Sequence, residues 1–356
     1  METYTLWVCD DNYTKRVQLD KWLRLTFTLA LNAPTSASLN LAANDSKIPE
    51  VALMRRLIIL RNGVVVWGGL FQTESWETEE TAPEGDIYAL DATDHCCYLD
   101  WRVIPRPANQ DFDTRTDHAD DLAKAFVNAH AAAGAAAARR FADLTVQADA
   151  HAVASVTKSW AWETLLQNLT DLAQEKAFYW RMVPSWTGAE FCTAYPLWGK
   201  DRTKGNLAGN DELIFSFDRG NVKKMSYKRD VSAHYNYTYA VGAGEGRYQP
   251  VVERADAQAV TAWKRRERVR MCSKYTATPD LEAEGDAENA AHKVSETMTV
   301  VPRVGSITPA NLGDKVTIFE RRYGRTFQFA AIVKSMTVEV DETGVETITP
   351  AEMVAV

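Results

Sequence analysis

The chain has 356 residues and a net charge of -8, from 40 lysine and arginine residues against 48 aspartate and glutamate residues. Hydrophobic residues make up 46% of the sequence and charged residues 25%, the balance of an ordinary globular protein, so wholesale disorder is excluded. The length suggests two or three domains. The acidic surplus argues against general affinity for nucleic acid or anionic lipid, because both partners demand a basic surface.

The first third of the chain is predicted to be β-sheet. Residues 23–31 place leucine or phenylalanine at every second position, so these side chains share one face of an extended strand. Two apolar runs on either side of Asn62-Gly63 predict a β-hairpin, because this dipeptide is the strongest short-range hairpin signal. An acidic turn over residues 77–85 and another strand follow. We assign residues 1–114 to a first barrel-like β domain.

The middle of the chain, residues 115–210, is predicted to be an α/β insertion domain. A helix from His118 to about His130 has Asp117 as its cap, and Ser159 is predicted to cap a second helix. The apolar stripe predicted for this second helix is Trp162, Leu165, Leu166, Leu169, Leu172 and Ala173.

Residues 211–356 are predicted to be a second barrel-like β domain with a short helix over residues 286–297. Residues 53–91 and 309–349 both read as strand, tight glycine turn, apolar strand, a further strand, an acidic turn and a last strand. The alternative is that any two antiparallel meanders share this pattern. The predicted fold class is therefore α+β, mainly β, with two barrel-like antiparallel β modules flanking an α/β insertion.

A cluster of acidic residues is the strongest candidate for chemistry. It consists of Asp111, Asp113, Asp117, Asp120 and Asp121 around His118. Two carboxylates and a histidine can perform acid–base or hydrolytic work. The same residues also suit a loop followed by the first turn of a helix, where carboxylates cap the backbone and complement the helix dipole. We favour this second interpretation.

Four other motifs are interpreted as structural. Residues 242–246 have the spacing G-x-G-x-G without a following helix, so a loop is favoured over a dinucleotide fingerprint. Residues 264–270 form a basic run that suits a solvated face or a contact with an acidic partner better than nucleic acid. Trp160 and Trp162 are interpreted as core residues rather than as a sugar platform. The motif that begins at His95 contains Cys96 and Cys97 but lacks the second ligand pair of a structural zinc site.

The five cysteines are scattered and odd in number, which excludes a disulfide framework and predicts synthesis in a reducing cytoplasm. No stretch is long and apolar enough to span a bilayer, so direct membrane insertion is not expected. The apolar run over residues 23–31 starts too late to be a signal peptide. We predict no catalytic, cofactor-binding or metal-binding residues, and no cofactor.

Several segments, taken in order, resemble the tail-tip or baseplate hub proteins of long-tailed bacteriophages, which are related in architecture to the hubs of contractile tails. The segments are 22–31, 57–69, 119–140, 159–166 running into 177–180, 236–244, 263–267 and 312–316. None of them is chemically specific, and their order over most of the chain carries the resemblance. The resemblance implies two barrel-like domains with an α/β insertion and assembly as a homotrimer at the end of the tail tube.

The expected function is therefore that of a structural virion protein, assembled in the host cytoplasm, which forms the trimeric hub of a phage tail tip. The expected partners are tail tube, distal tail and tape-measure proteins together with tail fibre or tip proteins, and phage DNA only in transit. Such a hub takes part in host attachment and genome ejection. One alternative is a carbohydrate- or receptor-binding module, supported by the 11 tryptophans and 13 tyrosines. A further alternative is a hydrolase that uses the Asp111–Asp121 cluster.

Overall fold

The computed structural model describes residues 2–42, 44–77, 87–303 and 305–355, so the predicted acidic turn lies outside the described residues beyond Glu77. The strands in these ranges are β1 (Tyr4–Cys9), β2 (Lys15–Leu19), β3 (Arg24–Ala30), β4 (Ser36–Ala42), β5 (Arg56–Arg61), β6 (Val64–Glu77), β7 (Ile87–Asp94), β8 (Asp113–His118), β9 (Leu144–Val146), β10 (Ser155–Trp160), β11 (Tyr179–Ser185), β12 (Gly188–Ala194), β13 (Ile214–Phe215), β14 (Val222–Asp230), β15 (Tyr237–Val241), β16 (Val251–Ala255), β17 (Glu267–Met271), β18 (Ser295–Pro302), β19 (Lys315–Arg322), β20 (Arg325–Asp341) and β21 (Glu346–Ala355). The α-helices are α1 (Cys97–Asp100), α2 (Ala119–His130), α3 (Leu165–Lys176), α4 (Ala257–Trp263) and α5 (Thr278–Ala291).

The fold is mainly β, as predicted, but the strands are distributed differently between the parts of the chain. Contacts divide the chain into two compact units, residues 1–224 with 300–354 and residues 225–299. The sequence-based boundaries at 114 and 210 do not coincide with this division. The physical reason is that the last strands of the chain hydrogen-bond to a strand near its beginning.

The larger unit contains an 11-stranded sheet with the order β13-β19-β20-β3-β4-β7-β6-β5-β1-β2, and β21 pairs with β20. The first and last segments of the chain therefore share one sheet instead of forming two separate modules. β20 makes this possible because it has 17 residues: its first part pairs with β19, and Ser335 to Asp341 pair antiparallel with β3. Among the described strands this order is open, so the predicted barrels are not closed.

The two segments compared in the sequence do share a strand order. In each of them, β5-β6-β7 and β19-β20-β21, the middle strand pairs with both of its sequence neighbours. Both first turns also use two residues with left-handed backbone: φ is 52° and 79° at Asn62 and Gly63, and 54° and 70° at Tyr323 and Gly324. Positive φ at both positions defines the type I′ hairpin turn, which matches the twist of the flanking strands.

Side chains near both ends of the chain meet in the larger unit. Arg61 donates two hydrogen bonds to the carboxylate of Glu346, at 2.7 Å and 3.0 Å, and the Tyr4 hydroxyl donates to the same carboxylate. The side chains of Arg61 and Glu346 are only 14% and 12% exposed. β21 is thereby fastened to residues of β1 and β5.

Helices α2 and α3 pack together and bury most of the stripe predicted for the second helix; Leu166 is half-buried, and one residue is an exception. Leu165, Leu169, Leu172 and Ala173 are at most 1% exposed. The exception is Trp162, which was predicted to be buried but is 63% exposed.

Trp162 is exposed because the helix starts later than the sequence predicted. Ser159 belongs to β10, and the cap is Thr164, whose side chain accepts a hydrogen bond from the Gln167 amide. The Trp162 amide donates to the Ile104 carbonyl at 2.7 Å, so the backbone before the helix is already paired with another segment.

The smaller unit consists of the sheet β16-β15-β17 with α5 packed on one face. Ala240, Cys272 and Leu281 form its buried centre. The helix predicted over residues 286–297 instead spans Thr278–Ala291, because Pro279 lies at its start, where a proline fits. Residues 295–302 form a strand. Among the described residues, none of the helices combines the length and the hydropathy needed to span a bilayer.

Candidate functional site

The acidic residues around His118 are divided between two elements. Asp111 is exposed in the loop before β8, Asp113 and Asp117 belong to that strand, and Asp120 and Asp121 are buried in the first turn of α2. Because β8 runs directly into the helix, the carboxylates point to different neighbours. Their hydrogen bonds show what each of them does.

Asp113 binds two cationic or polar partners. Arg115 donates from Nε and Nη2 to its two oxygens, both at 2.9 Å, and Nε2 of His130 lies 2.9 Å from Oδ2. Burial acts to raise the pKa of Asp113, but the hydrogen bonds from Arg115 and His130 outweigh it, so the pKa is lowered. Burial also lowers the pKa of His130. Asp113 is therefore a permanent acceptor that fixes the far end of α2 against β8.

Asp120 and Asp121 hold the loop that precedes β10. The carboxylate of Asp120 accepts the amides of Ala152 and Val153 at 3.2 Å and 3.0 Å. Asp121 accepts the amides of residues 150 and 151 at 2.9 Å and 2.8 Å, and it also binds Lys124 at 3.0 Å. Four backbone amides are thus satisfied by two buried carboxylates, which is a structural task.

His118 does not complete a hydrolytic site. Its Nδ1 lies 2.5 Å from the carbonyl oxygen of Val153, in the same loop that the aspartates hold. Asp117, Asp121 and His151 place one potential ligand atom each within 4.8 Å of one another. These groups are already engaged, because Asp117 accepts the His118 amide at 2.8 Å and Nδ1 of His151 lies 2.6 Å from Asp121. Through these hydrogen bonds, the acidic residues and His118 hold the loop over residues 148–153 in place.

The other motifs singled out in the sequence also have structural surroundings. All five cysteines are free and buried. Burial raises the pKa of Cys97 to about 12, so this thiol is protonated at neutral pH. Residues 242–246 form a loop rather than the start of an α-helix, and a Cβ added at Gly242 would lie 2.6 Å from the Tyr275 carbonyl oxygen. Gly242 is therefore required for close backbone packing.

The basic run is largely ion-paired. Arg265 contacts Glu267 at 2.6 Å, Arg268 contacts Glu288 at 2.7 Å, and Arg270 lies 3.4 Å from Glu284. Three arginines therefore have carboxylate partners within the smaller unit. This arrangement differs from a free basic patch of the kind that binds nucleic acid.

A further cluster of polar side chains, most of them buried, was not predicted from the sequence. Oδ2 of Asp143 accepts hydrogen bonds from the hydroxyls of Tyr13 and Tyr98, both at 2.8 Å, and from Nη2 of Arg56 at 2.9 Å. Nε2 of His95 lies 2.9 Å from the Tyr13 hydroxyl. Because that hydroxyl donates to Asp143, the histidine nitrogen must carry the proton and donate to it. We name these five residues the Asp143 cluster.

Electrostatics explains why the Asp143 cluster is stable as an ionised site. Burial acts to raise the pKa of Asp143, but the hydrogen bonds of Tyr98, Arg56 and Tyr13 outweigh it, so the pKa is lowered. Burial lowers the pKa of His95 to about 4. The carboxylate is therefore charged and the imidazole neutral at physiological pH, and the guanidinium of Arg56 balances the single negative charge.

The Asp143 cluster joins separate parts of the larger unit. Tyr13 lies in the β1–β2 turn with a φ of 59°, Arg56 opens β5, and Tyr98 belongs to α1. The Asp143 carbonyl also accepts the Ala189 amide at 2.9 Å, at the start of β12. No motif reveals such a cluster, because its members come from separate segments of the chain. The one signal present in the sequence is a charged residue, Arg56, at the start of an apolar strand.

Comparison with known proteins agrees with a structural role. No curated protein matches the chain. Among solved structures, the 43 kDa tail protein of prophage MuSo2 from Shewanella oneidensis aligns with a TM-score of 0.65 and 13% identity, covering 100% of this chain and 98% of that one.

Two other tail proteins have the same fold. The tail protein from Neisseria meningitidis aligns with a TM-score of 0.59 and 12% identity, over 98% of this chain and 97% of its own. A prophage tail protein from Listeria monocytogenes gives 0.56 and 10%, over 98% and 94%. The family model described as Siphovirus ReqiPepy6 Gp37-like protein matches residues 5–351. Because this match spans nearly the whole chain, the protein belongs to the Siphovirus ReqiPepy6 Gp37-like family, and its fold is similar to that of phage tail proteins.

Proposed function

We propose that the protein forms a trimeric hub at the tip of a siphovirus tail. The repeated strand order carries this proposal: β5-β6-β7 and β19-β20-β21 each have a central strand paired on both sides, and both begin with a type I′ turn. Two similar segments per chain let three chains present six similar surfaces. A trimer of this kind matches a tail tube of six-fold symmetry.

The hub joins the tube to distal tail, tape-measure and fibre or tip proteins, and it takes part in host attachment and DNA passage as a component of the virion. Its task is assembly rather than catalysis. The hydrogen bonds of Asp113, Asp120 and Asp121 support this view, because their carboxylates are occupied by partners within the fold.

The oligomeric state tests the proposal directly. Light scattering coupled to size exclusion should give three times 39.8 kDa for the purified chain alone, or a complex that contains three copies of the chain when its tube protein is present. Electron microscopy of the tail tip should then show three copies beneath one ring of six tube subunits. A tip with one, two or five copies would contradict the hub.

A second candidate function rests on one observation. The ring of Trp162 is 63% exposed, as an aromatic platform for a sugar must be. The second candidate function is therefore that of a carbohydrate- or receptor-binding module. Glycan-array binding by the protein, compared with that of Trp162→Ala, separates the two functions. Loss of glycan binding in the variant would favour the module, whereas no binding by either protein supports the hub alone.

A further inference from the structure

Strand β17 is an edge strand of the three-stranded sheet in the smaller unit. Its only strand neighbour in the described chain is β15, and all five of its residues are exposed. The helix on this sheet lies over the other two strands: Thr238 of β15 donates to Asn289, and Arg254 of β16 binds Asp286, both acceptors being on α5. An edge strand of this kind presents unpaired N–H and C=O groups to a partner.

The side chains of β17 alternate in character. Val269 and Met271 lie opposite Tyr239 and Val241 of β15, on the face away from α5, and they are 58% and 60% exposed. On the same face, Val251 of β16 is 53% exposed and lies opposite Val241. This group of exposed aliphatic side chains forms an apolar face that continues to the free edge.

Arginines occupy the other face of β17. Arg268 contacts Glu288 of α5 at 2.7 Å, and Arg270 lies 3.4 Å from Glu284. Their side chains nevertheless stay 41% and 49% exposed. Nη1 of Arg268 also lies 2.7 Å from Nε2 of His292, and Nε of Arg270 lies 3.8 Å from Glu288. A guanidinium carries five donors, so these partners still leave donors of each arginine free.

The arginines of β17 indicate which kind of strand pairs with this edge. Antiparallel pairing of β17 with the β17 of a second copy, centred on Val269, would place Arg268 opposite Arg270, and like charges directly opposite are destabilising. A strand with carboxylates at those positions meets the arginines favourably. Arg268 and Arg270 keep donors that their partners on α5 do not use, so an acidic strand suits this edge better than a basic one.

We propose that β17 binds an extended segment of another protein, in which acidic and aliphatic residues alternate, as an added strand of the sheet. The acidic residues meet Arg268 and Arg270, and the aliphatic residues extend the face formed by Val269 and Met271. Main-chain hydrogen bonds supply affinity and the alternating side chains supply specificity, as in other cases of β-strand addition. The inference does not depend on the trimeric hub.

Peptide binding to the full-length chain tests the proposal. The probe is a fluorescent nine-residue peptide of alternating glutamate and valine, and its counterpart carries lysine in place of glutamate. We expect fluorescence anisotropy to show at least tenfold tighter binding of the glutamate peptide. We also expect amide hydrogen exchange in residues 267–271 to slow at least tenfold in the complex. Equal binding of both peptides, or none at millimolar concentration, overturns the proposal.

Charge reversal supplies the matched variants. Arg268→Glu combined with Arg270→Glu should invert the preference, so that the lysine peptide binds at least tenfold tighter. Arg247→Glu changes an exposed arginine of the same unit outside the strand and should leave the preference unchanged. Circular dichroism establishes that each variant is folded. If the double variant does not fold, two methylated glutamate–valine peptides serve instead. One phase is methylated on the amides of the glutamates, and the other phase on the amides of the valines.

The methylated peptides test main-chain pairing directly. One edge of the added strand pairs with β17, so only one of the two phases should abolish binding. Equal binding by both phases overturns strand addition. Self-association of the unmodified chain that Val269→Glu abolishes would assign the edge to a second copy and would also overturn the proposal.

Discussion

A single carboxylate oxygen organises much of the larger unit. Oδ2 of Asp143 receives donors from residues 45, 87 and 130 positions away along the chain. Charged groups are expensive to bury, and they persist only where hydrogen bonds and an opposite charge compensate them. Asp143 meets that condition because Arg56 and two tyrosine hydroxyls surround it.

Asp143→Asn should therefore lower the free energy of unfolding at pH 7 by about 3 kcal/mol, since it leaves the buried Arg56 with only the exposed Asp11 as a charge partner. Urea denaturation measures the loss. Asp11→Asn is the matched control: Asp11 contacts the same arginine at 2.6 Å but is 87% exposed, so the expected change is below about 1 kcal/mol. Equal effects of the two substitutions would show that burial of the pair is irrelevant.

His95 predicts how stability depends on pH. Its pKa is lowered to about 4 by burial, whereas the unfolded chain titrates near 6.5. Between these values the unfolded state binds a proton that the folded state excludes, so stability falls as the pH falls through this window. His95 contributes up to about 1.4 kcal/mol per pH unit.

Urea denaturation at several pH values should show that His95→Gln has a shallower slope between pH 6.5 and 4 than the unsubstituted protein. Above pH 6.5 the difference between the two proteins should be constant. Parallel slopes throughout the window would exclude His95 as the responsible group.

At the residue scale the predicted capping of α2 was wrong. Asp117 lies in β8, the N-cap residue is His118 without a side-chain cap hydrogen bond, and Asp120 and Asp121 accept amides of residues 150–153 in a separate loop. The Asp143 cluster could not be predicted, because spacing along the chain carries no information about contacts made across separate segments.

Among the elements, those with strong periodicity were predicted best. The alternation in residues 24–30 gives β3 with Leu25, Phe27 and Leu29 buried. The helical stripe gives α3, but its first turn was placed too early. Trp162 suits helical spacing by itself, yet it lies before the helix with a left-handed φ of 67°, and its amide is paired with the Ile104 carbonyl. Helix ends are decided by such competing hydrogen bonds, which periodicity does not reveal.

The buried stripe of α3 predicts a clear contrast between two substitutions. Leu169→Ala should cost about 2–5 kcal/mol of stability, because Leu169 is fully buried between α2 and the strands behind it. Trp162→Ala should change stability by about 0.5 kcal/mol or less despite removing a larger side chain. Thermal and urea denaturation of both variants measure the contrast, and a larger loss for Trp162→Ala would contradict the exposed position.

On the scale of the whole molecule, the sequence predicted the content of the sheet but not its continuity. Strand pattern indicated which residues are extended, and the similarity of residues 53–91 and 309–349 in strand order was visible. The pairing of β20 with β3 was not visible in the sequence, because the register between distant strands depends on the complete set of neighbouring strands. Two modules were therefore predicted where one sheet exists.

The contact between Arg61 and Glu346 tests how tightly the end of the chain is integrated. Glu346→Gln should destabilise the larger unit by about 3 kcal/mol, because it removes the more buried of the two charge partners of a largely buried arginine and leaves only Glu2. Glu339→Gln is the control, since Glu339 binds Arg24 at 3.1 Å on an exposed surface and should cost less than about 1 kcal/mol. Similar losses in urea denaturation would contradict a special role for β21.

The pairing of β20 with β3 also sets the order of events during synthesis. Ala30 pairs with Ser335, so 305 residues must be translated before β3 can meet its second neighbour. At ordinary translation rates the edge of β3 waits about 15–60 s for its partner on the ribosome. During that interval the second edge of β3 lacks its strand partner. Ribosome-bound chains arrested before residue 335 should show rapid amide exchange in β3, and slow exchange there would refute this delay.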